Sequence, residues 1–188
     1  MIQEILNDSI CLKQEILTGQ VDIIYDIVRE TNICLGAGGK VILVGNGGSA
    51  ADAQHLAAEF VGRFLRERRA LPAIALSVNT SILTALGNDY GYDTIFSRQI
   101  EAMAGKNDIL WAFSTSGQSK NVNKAVMKAR AIGVKTVAFA GNNGGRLAAV
   151  ADISFIVPSQ SAPRIQEAHI TVGHIVCQLV EEGLSVSV

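Results

Sequence analysis

The sequence contains no uninterrupted apolar stretch of the length that a membrane-spanning helix requires, about 18 to 20 residues. Its first residues, Met1-Ile2-Gln3-Glu4, also lack the basic segment and the apolar run of a secretory signal peptide. These two absences argue against a membrane protein and against export. We therefore expect a cytoplasmic protein that has no membrane as a partner.

Cysteine is scarce, because the chain has only three, Cys11, Cys34 and Cys177, and they lie far apart. An odd number of widely separated cysteines in mostly apolar segments is not the pattern of a disulfide framework or of a cysteine-rich zinc site. We interpret them as buried thiols of a protein in a reducing compartment.

Net charge is nearly absent, because 16 lysines and arginines face 17 aspartates and glutamates. Nonspecific binding of nucleic acid depends on a basic surface, which a formal net charge of −1 does not provide. Nucleic acid is therefore not an expected partner. Charged residues do cluster between Arg63 and Arg69, which is typical of a solvated helix end, and Arg63 remains a candidate anion contact.

Apolar residues are abundant, since 48% of the chain is apolar, 18% is charged and the mean hydropathy is +0.29. This composition is rich for a soluble monomer and indicates apolar surface buried between subunits. For a chain of 188 residues we expect a single domain over 1–188, with N-terminal helices at 1–36 and an α/β core at 37–188.

Hydrophobic periodicity predicts strands and helices in alternation after an N-terminal helical segment. Apolar residues at three-to-four spacing indicate two helices, at 2–18 and 20–35. Short apolar runs predict strands at 40–44, 73–76, 108–113, 135–140 and 153–157, with helices at about 50–65, 79–86, 95–104, 120–132 and 164–182. This alternation is typical of a parallel sheet covered on both faces, so we expect an α/β fold, a three-layer α/β/α sandwich with a five-stranded parallel sheet.

The first chemical motif is a glycine-rich turn between a strand and a helix, Gly45-Asn46-Gly47-Gly48-Ser49. Glycines let the backbone approach an anion closely, and the free N–H groups of the next helix point at the same place. His55 and Glu59 follow on this helix, and their spacing of four places both on one face, where they can share a metal ion or a proton. The motif therefore predicts a phosphate site with the chemistry beside it.

The second motif is a hydroxyl-rich loop after another predicted strand, Ser114-Thr115-Ser116-Gly117-Gln118-Ser119. Loops at the carboxyl ends of parallel strands line the ligand crevice of such a sheet. Hydroxyls and the free amides of a helix that begins near Lys120 suit a phosphate dianion. The alternative is that these serines only cap that helix, since serine is a preferred cap.

The glycine turn also matches the dinucleotide fingerprint, through Gly45-x-Gly47-x-x-Ala50. A dinucleotide site needs an acidic residue at the end of the next strand to hold the ribose. That strand ends in Ala75-Leu76-Ser77, which contains no acid. The dinucleotide interpretation is therefore disfavoured.

The histidines raise the possibility of a metal site. Gln166 and His174 differ by roughly 80° around the last predicted helix, so both can face the crevice. Together with His55 and Glu59 they offer two imidazoles, a carboxylate and an amide oxygen, which suits zinc by ligand type. Spacing alone leaves the alternative open that His169 and His174 are ordinary core residues.

Taken in order, the motifs resemble those of the phosphoheptose isomerases, which belong to the sugar isomerase (SIS) domain superfamily. The resemblance rests on Gly45-Asn46-Gly47-Gly48-Ser49, His55-x-x-x-Glu59, Gly87-Asn88-Asp89, Phe96-Ser97-Arg98, Ser114-Thr115-Ser116-Gly117-x-Ser119 and Arg164-Ile165-Gln166-Glu167-x-His169. It covers nearly the whole chain, and the joint occurrence of these motifs in order is far more specific than any one of them. The resemblance implies a flavodoxin-like SIS fold and one zinc ion per subunit.

The resemblance further implies an aldose–ketose isomerase that converts D-sedoheptulose 7-phosphate to D-glycero-D-manno-heptose 7-phosphate through an enediol. This reaction is the first step toward the nucleotide-activated heptose of bacterial surface polysaccharides. The family also implies a homotetramer with active sites near the subunit boundaries, where Arg63 is a candidate to reach the sugar of a neighbouring subunit.

Matched residue by residue, the resemblance implies that Glu59 and His174 are the base and the acid. The same two residues are implied to bind zinc together with His55 and Gln166. The implied substrate-binding residues are Asn46, Gly47, Gly48, Ser49, Glu59, Arg63, Asn88, Asp89, Ser114, Thr115, Ser116, Ser119 and Gln166. A bound cation stabilises the ionised form of a carboxylate and weakens it as a base, and the sequence leaves open whether Glu59 leaves the metal.

Two further classes of protein share the superfamily. Some members are non-catalytic binding proteins that associate with the replication initiator DnaA, and others are sugar-phosphate sensors fused to DNA-binding modules. The first class lacks the glutamate and the second histidine of the catalytic set, whereas this sequence has Glu59 and His174. Nothing in the sequence resembles a DNA-binding module. The isomerase is therefore the leading hypothesis.

Overall fold

The computed structural model describes residues 1–185, and its centre is a five-stranded sheet. All neighbouring strands pair in parallel, in the order β2-β1-β3-β4-β5. The strands are β1 (Val41–Val44), β2 (Ala73–Ala75), β3 (Ile109–Ser114), β4 (Lys135–Gly141) and β5 (Ile153–Val157). Each lies within one residue of its predicted position at either end.

Helices connect the strands and precede them. They are α1 (Ile2–Gly19), α2 (Val21–Gly36), α3 (Gly48–Val61), α4 (Thr80–Tyr90), α5 (Ser97–Met103), α6 (Lys120–Ala131), α7 (Gly145–Val150) and α8 (Ala162–Ser185). The periodicity did not predict α7, which is too short to show a helical repeat, or a 3₁₀ turn at Tyr92–Thr94. Helix α3 ends four residues before its predicted end, because the chain turns away at Gly62.

Alternate residues of the strands build two separate cores, one on each face of the sheet. One face presents Leu43, Trp111 and Phe139 to α1, α2, α3 and α8. The other face presents Ile42 and Leu110 to α5, α6 and α7. Because successive side chains of a strand point to opposite faces, near-continuous apolar strands serve both cores. The expected three-layer α/β/α arrangement is confirmed.

The two N-terminal helices are separated at Gln20, whose side chain closes the edge of the sheet. Its amide nitrogen donates to the carbonyl of Ile156 at 2.6 Å, and its amide oxygen accepts from the Ile156 N–H at 3.1 Å. Edge strands leave such backbone groups unpaired, so Gln20 substitutes for a sixth strand at this point. Helix α1 itself buries only Leu12 and Ile16. Its other large apolar residues, Ile2, Ile5, Leu6, Ile10 and Leu17, are exposed.

The strand order reverses between β1 and β3, which makes this the topological switch point of the sheet. The chain leaves β1 along α3 on one face and leaves β3 along α6 on the other face. The loops after these two strands therefore diverge and leave a crevice, which is where open α/β sheets bind ligands. Among residues 1–185, no helix is both long enough and apolar enough to cross a membrane.

Candidate active site

The glycine turn after β1 has the tight geometry that its sequence predicts. Gly47 has φ = +56°, a conformation that L side chains rarely adopt, and its carbonyl accepts from the N–H of Ala50. Gly48 opens α3, and a Cβ there would collide with the side-chain amide of Gln166. Ser49 is buried at the first turn of α3. The turn thus brings the backbone and Gln166 together at the mouth of the crevice.

A reciprocal pair of amides ties this turn to α6 across the crevice. The side-chain nitrogen of Asn46 donates to Asn121 Oδ1, and the nitrogen of Asn121 donates to Asn46 Oδ1, both at 2.9 Å. Tyr92 adds its hydroxyl to Asn46 Oδ1 at 3.0 Å. The Asn46 side chain is therefore engaged within the protein, and it joins the two loops that line the crevice.

The hydroxyl loop after β3 is held by contacts that leave several of its polar groups facing outward. Ser114 is buried and its hydroxyl lies 3.0 Å from that of Ser119. Ser116 is exposed, and its Oγ accepts from the N–H of Gln118 at 3.2 Å. Thr115 is partly exposed between them. The loop is therefore preformed, with its hydroxyls at the start of α6.

Ser119 occupies the N-cap position of α6, which bears on the alternative that the serines only cap this helix. Within the described part of the chain, its side chain makes no capping hydrogen bond. Its hydroxyl is directed to Ser114 instead. Free amides at a helix start are a ready site for an anion. The geometry thus favours an anion site over simple capping.

His55, Glu59 and His174 converge beside the glycine turn. His55 Nε2 lies 3.1 Å from His174 Nε2 and 3.1 Å from Glu59 Oε1. One donor atom from each of the three residues lies within 4.8 Å of the others. His55 and Glu59 come from adjacent turns of α3, and His174 comes from α8. The packing of α3 against α8 therefore creates the cluster.

The chemistry of this donor set fits a divalent metal ion. A tetrahedral zinc ion with bonds of about 2.0–2.1 Å separates its ligand atoms by about 3.3 Å, close to the two distances above. The two imidazole Nε2 atoms, 3.1 Å apart, can hydrogen-bond to each other only if one of the two rings carries its proton at that nitrogen. A cation at the centre satisfies all three lone pairs at once.

Gln166, the fourth predicted ligand, lies at the same mouth of the crevice. Its amide packs against Gly48, and it precedes His174 by eight residues, about 12 Å along the axis of α8. The two residues lie on one side of the helix. The role of Gln166 as a ligand stays a prediction, and its place beside the glycine turn also suits a sugar contact.

The remaining predicted residues lie around the rim. Asn88 and Asp89 are exposed in the last turn of α4, where Asn88 Nδ2 donates to Asp89 Oδ1 at 2.8 Å. Arg63 follows the end of α3, is exposed, and has only Glu67 at 3.8 Å as an ionic partner among the described residues. These side chains are therefore accessible to a ligand or to another subunit.

Burial shifts the proton affinities of two groups at the site. It lowers the pKa of His174, and the neighbouring His55 lowers it further, while Glu59 opposes both. Burial raises the pKa of Asp52 to about 6, against the opposing effect of His55. Neutral imidazole is the form that binds a metal ion, so the shift of His174 favours metal binding at neutral pH.

Sequence reasoning missed several residues that organise this site. They are Asn121, Tyr92, Phe64, Arg68 and Glu181. The ring of Phe64 lies 5.4 Å from that of His174, and the buried Glu181 accepts a hydrogen bond from the Phe64 N–H. A signal existed for two of them, because Asn121 and Glu181 are polar residues at otherwise apolar positions of their helices. A polar side chain at a buried helix position requires a hydrogen-bond partner.

A family model described as "SIS domain" matches residues 6–141. The phosphoheptose isomerase of Aquifex aeolicus is 52% identical over 181 residues, which cover 96% of this chain and 95% of that protein. The chain is thus similar to this enzyme along almost its whole length.

Solved structures agree with the sequence relatives. A phosphoheptose isomerase from Francisella tularensis superposes with a TM-score of 0.93 at 36% identity, covering 96% of each chain. Phosphoheptose isomerase GmhA from Neisseria gonorrhoeae has a TM-score of 0.90 at 39% identity and covers 97% of this chain and 100% of its own. The fold that the sequence predicts is confirmed by these likenesses.

Proposed function

We propose that this chain, which belongs to the SIS domain family and within it to the phosphoheptose isomerases, converts D-sedoheptulose 7-phosphate to D-glycero-D-manno-heptose 7-phosphate. The observation that carries the proposal is the cluster of His55, Glu59 and His174, in a chain that also has the hydroxyl loop after β3. Relatives named phosphoheptose isomerase support it along nearly the full chain. The product leads to nucleotide-activated heptose for bacterial surface polysaccharide.

The metal of the proposed site is one zinc ion per subunit, held by His55, Glu59, Gln166 and His174. Two imidazoles, a carboxylate and an amide oxygen suit zinc by ligand type. Zinc held by these residues would supply Lewis acidity, which stabilises negative charge that develops on the oxygens of the sugar during the reaction.

Proton transfer is assigned to the chain's own side chains. The reaction moves one proton from C1 of the ketose to C2, and a second proton from the C1 hydroxyl to the carbonyl oxygen at C2. Glu59 would exchange the carbon-bound proton, and His174 would exchange the proton of the oxygen. Phe64 packs on the imidazole of His174 and limits its rotation. The two groups would thus act at the same end of the substrate.

The phosphate of the substrate is assigned to the hydroxyl loop. The hydroxyls of Ser114, Thr115, Ser116 and Ser119 and the first amides of α6 would bind it, and the 3.0 Å contact between the hydroxyls of Ser114 and Ser119 supports the shape of the loop. The sugar is assigned to the glycine turn (Asn46, Gly47, Gly48, Ser49), to Asn88 and Asp89, and to Gln166. The reciprocal hydrogen bonds between the side chains of Asn46 and Asn121 connect these two regions.

The proposed assembly is a homotetramer built largely through the N-terminal helices, in the cytoplasm. The exposed apolar residues of α1, together with Tyr25 and Ile33 of α2, support it. A groove of about 320 Å³ between α1, α2 and α8 continues this surface and is lined mostly by apolar side chains. Light scattering on the full chain and on a variant that lacks residues 1–36 tests it, and a monomer that still turns over substrate would contradict it.

The experiment that tests the function couples metal content with turnover. We expect purified protein to contain zinc, to isomerise D-sedoheptulose 7-phosphate, to lose activity on chelation and to regain it with zinc. Glu59→Gln and His174→Asn should each lose about 10²- to 10⁴-fold in kcat, the usual contribution of a proton-transfer group. Glu182→Gln, an exposed change on the same helix as His174, is the matched control.

Two outcomes would contradict the proposal. One is near-normal kcat in both variants, and the other is absence of isomerase activity in the zinc-loaded protein. The comparisons give no support to the alternative of a non-catalytic partner of the replication initiator DnaA. Binding to that protein in the absence of turnover would revive it.

A further inference from the structure

A buried carboxylate on α8 binds the backbone of the segment that follows α3. Glu181 is only 1% exposed. Its two oxygens accept from the N–H groups of Phe64 at 3.0 Å, Leu65 at 2.8 Å and Arg66 at 2.8 Å. Glu181 therefore determines the path of the chain directly after α3 with three charge-assisted hydrogen bonds.

The guanidinium of Arg68 completes this arrangement from the other side. Its Nε donates to Glu181 Oε1 at 3.0 Å, and the Arg68 side chain is 9% exposed. One terminal nitrogen donates to the carbonyl of Glu59 at 2.8 Å, and the other donates to that of Phe60 at 2.9 Å. The last carbonyls of a helix have no partners within the helix. Arg68 thus caps the C-terminus of α3, where a positive charge is also favoured by the helix dipole.

These contacts begin at the residues of the metal cluster. Arg68 binds the main-chain carbonyl of Glu59 itself, and Glu181 binds the N–H of Phe64, whose ring packs on His174. His174 and Glu181 are seven residues apart, so they lie within about 20° of each other around α8, about 10 Å apart along its axis. One face of α8 therefore carries both the ligand and the anchor of the segment that packs on it.

Stability alone does not account for this pair. Removing two charges from water is costly, and a buried ion pair is often no more stabilising than apolar residues of the same volume. The pair instead fixes how the two helices are arranged, because its hydrogen bonds hold the end of α3 against α8. The donor atoms of His55 and Glu59 belong to α3, and that of His174 belongs to α8.

We propose that Arg68 and Glu181 are positioning residues of the metal site, which hold the end of α3 against α8 so that Glu59 and His174 present their donor atoms at coordinating distance. This inference rests on the proposed function, since it assigns both residues to the same site. Neither residue belongs to the proposed ligand set or to the proposed substrate contacts. Their effect on the reaction is exerted through Glu59, Phe64 and His174.

The test compares Arg68→Lys with Arg66→Lys in the full-length protein. Lysine keeps the charge at position 68 but cannot reach Glu181 and two helix carbonyls at once. Arg66 is the matched control, because its exposed side chain makes only a 3.8 Å contact with Glu182 among the described residues. The measurements are the zinc dissociation constant by competition with a chromophoric chelator, the visible spectrum of the cobalt-substituted protein, and kcat and KM with D-sedoheptulose 7-phosphate.

We expect Arg68→Lys to weaken zinc binding about 10- to 100-fold, the usual effect of losing a group that orients a ligand. The cobalt spectrum should change and kcat should fall, while KM changes little because the hydrogen bonds of Arg68 involve no residue of the hydroxyl loop. Arg66→Lys should match the wild type in all four quantities. If Arg68→Lys does not fold, Glu181→Gln with Glu182→Gln as control repeats the comparison, since glutamine keeps the size of the side chain and offers one acceptor instead of two.

Two results would overturn the inference, and they are distinguishable. Suppose that wild-type protein binds zinc and isomerises the substrate, and that the variants lose thermal stability but keep zinc affinity, cobalt spectrum and kcat. The pair is then only structural, and the proposed function stands. If wild-type protein neither binds zinc nor turns over substrate, the proposed function and this inference fail together.

Discussion

The amide pair of Asn46 and Asn121 offers a quantitative test of how the crevice is held together. Each side chain donates to the other at 2.9 Å, and Asn121 is only 3% exposed. Asn46→Ala removes both bonds and leaves the buried Nδ2 of Asn121 without that partner. Asn121→Ala removes the same two bonds and also the acceptor of the Val122 N–H.

The expected magnitude follows from these contacts. A hydrogen bond contributes about 1 kcal/mol net, and a buried donor left unpaired costs about 1–3 kcal/mol. We therefore expect each single substitution to lower the free energy of unfolding by about 2 kcal/mol. The double substitution leaves neither side-chain amide without its partner, so it should cost about 2–3 kcal/mol instead of the roughly 4 kcal/mol that independent sites would give.

Urea unfolding of the four proteins at one protein concentration measures this coupling. Trp111 is the only tryptophan, is fully buried, and lies on β3 just before the hydroxyl loop, so its fluorescence reports the transition. In a chain of this size, 2 kcal/mol corresponds to roughly 4–8 °C in Tm, which provides a second measurement. Additivity of the two single changes within about 0.5 kcal/mol would refute the coupling of the two loops through this pair.

Further predictions concern the phosphate site, the packing of α8 and the response to acid. Ser116→Ala combined with Ser119→Ala should raise KM for the sugar phosphate at least about tenfold, since hydrogen bonds to charged groups contribute about 1.5–3 kcal/mol, and unchanged KM would exclude the assignment. Gly173→Ala should lower the free energy of unfolding by about 1–3 kcal/mol, because its Cβ would lie 2.5 Å from Leu56 Cδ1, and a neutral result in urea unfolding would contradict this packing. Burial lowers the pKa of His169 from 6.5 to about 4. Between pH 6.5 and pH 4, His169 is therefore protonated in the unfolded chain but mostly neutral in the native chain. Stability should therefore be complete above pH 6.5 and fall by up to about 3 kcal/mol toward pH 4, with a flatter profile in His169→Gln.

The sequence alone determined the local patterns of this protein. A strand followed by closely spaced glycines and a helix predicted the turn at Gly45–Ser49, because that conformation depends mainly on neighbouring residues. The helical period placed His55 and Glu59 on one face for the same reason. Apolar runs that alternate with amphipathic segments determined the layered α/β architecture.

Only the tertiary structure decided which distant residues meet. His174 reaches His55 across 119 positions of the chain, and Glu181 reaches Phe64 across 117. No local pattern encodes these contacts, because they depend on how α8 packs against α3. The same holds for Asn121, a buried polar side chain of α6 whose partner Asn46 lies 75 positions earlier in the chain. Buried polar groups are stable only with partners, and the folded chain alone determines where those partners lie.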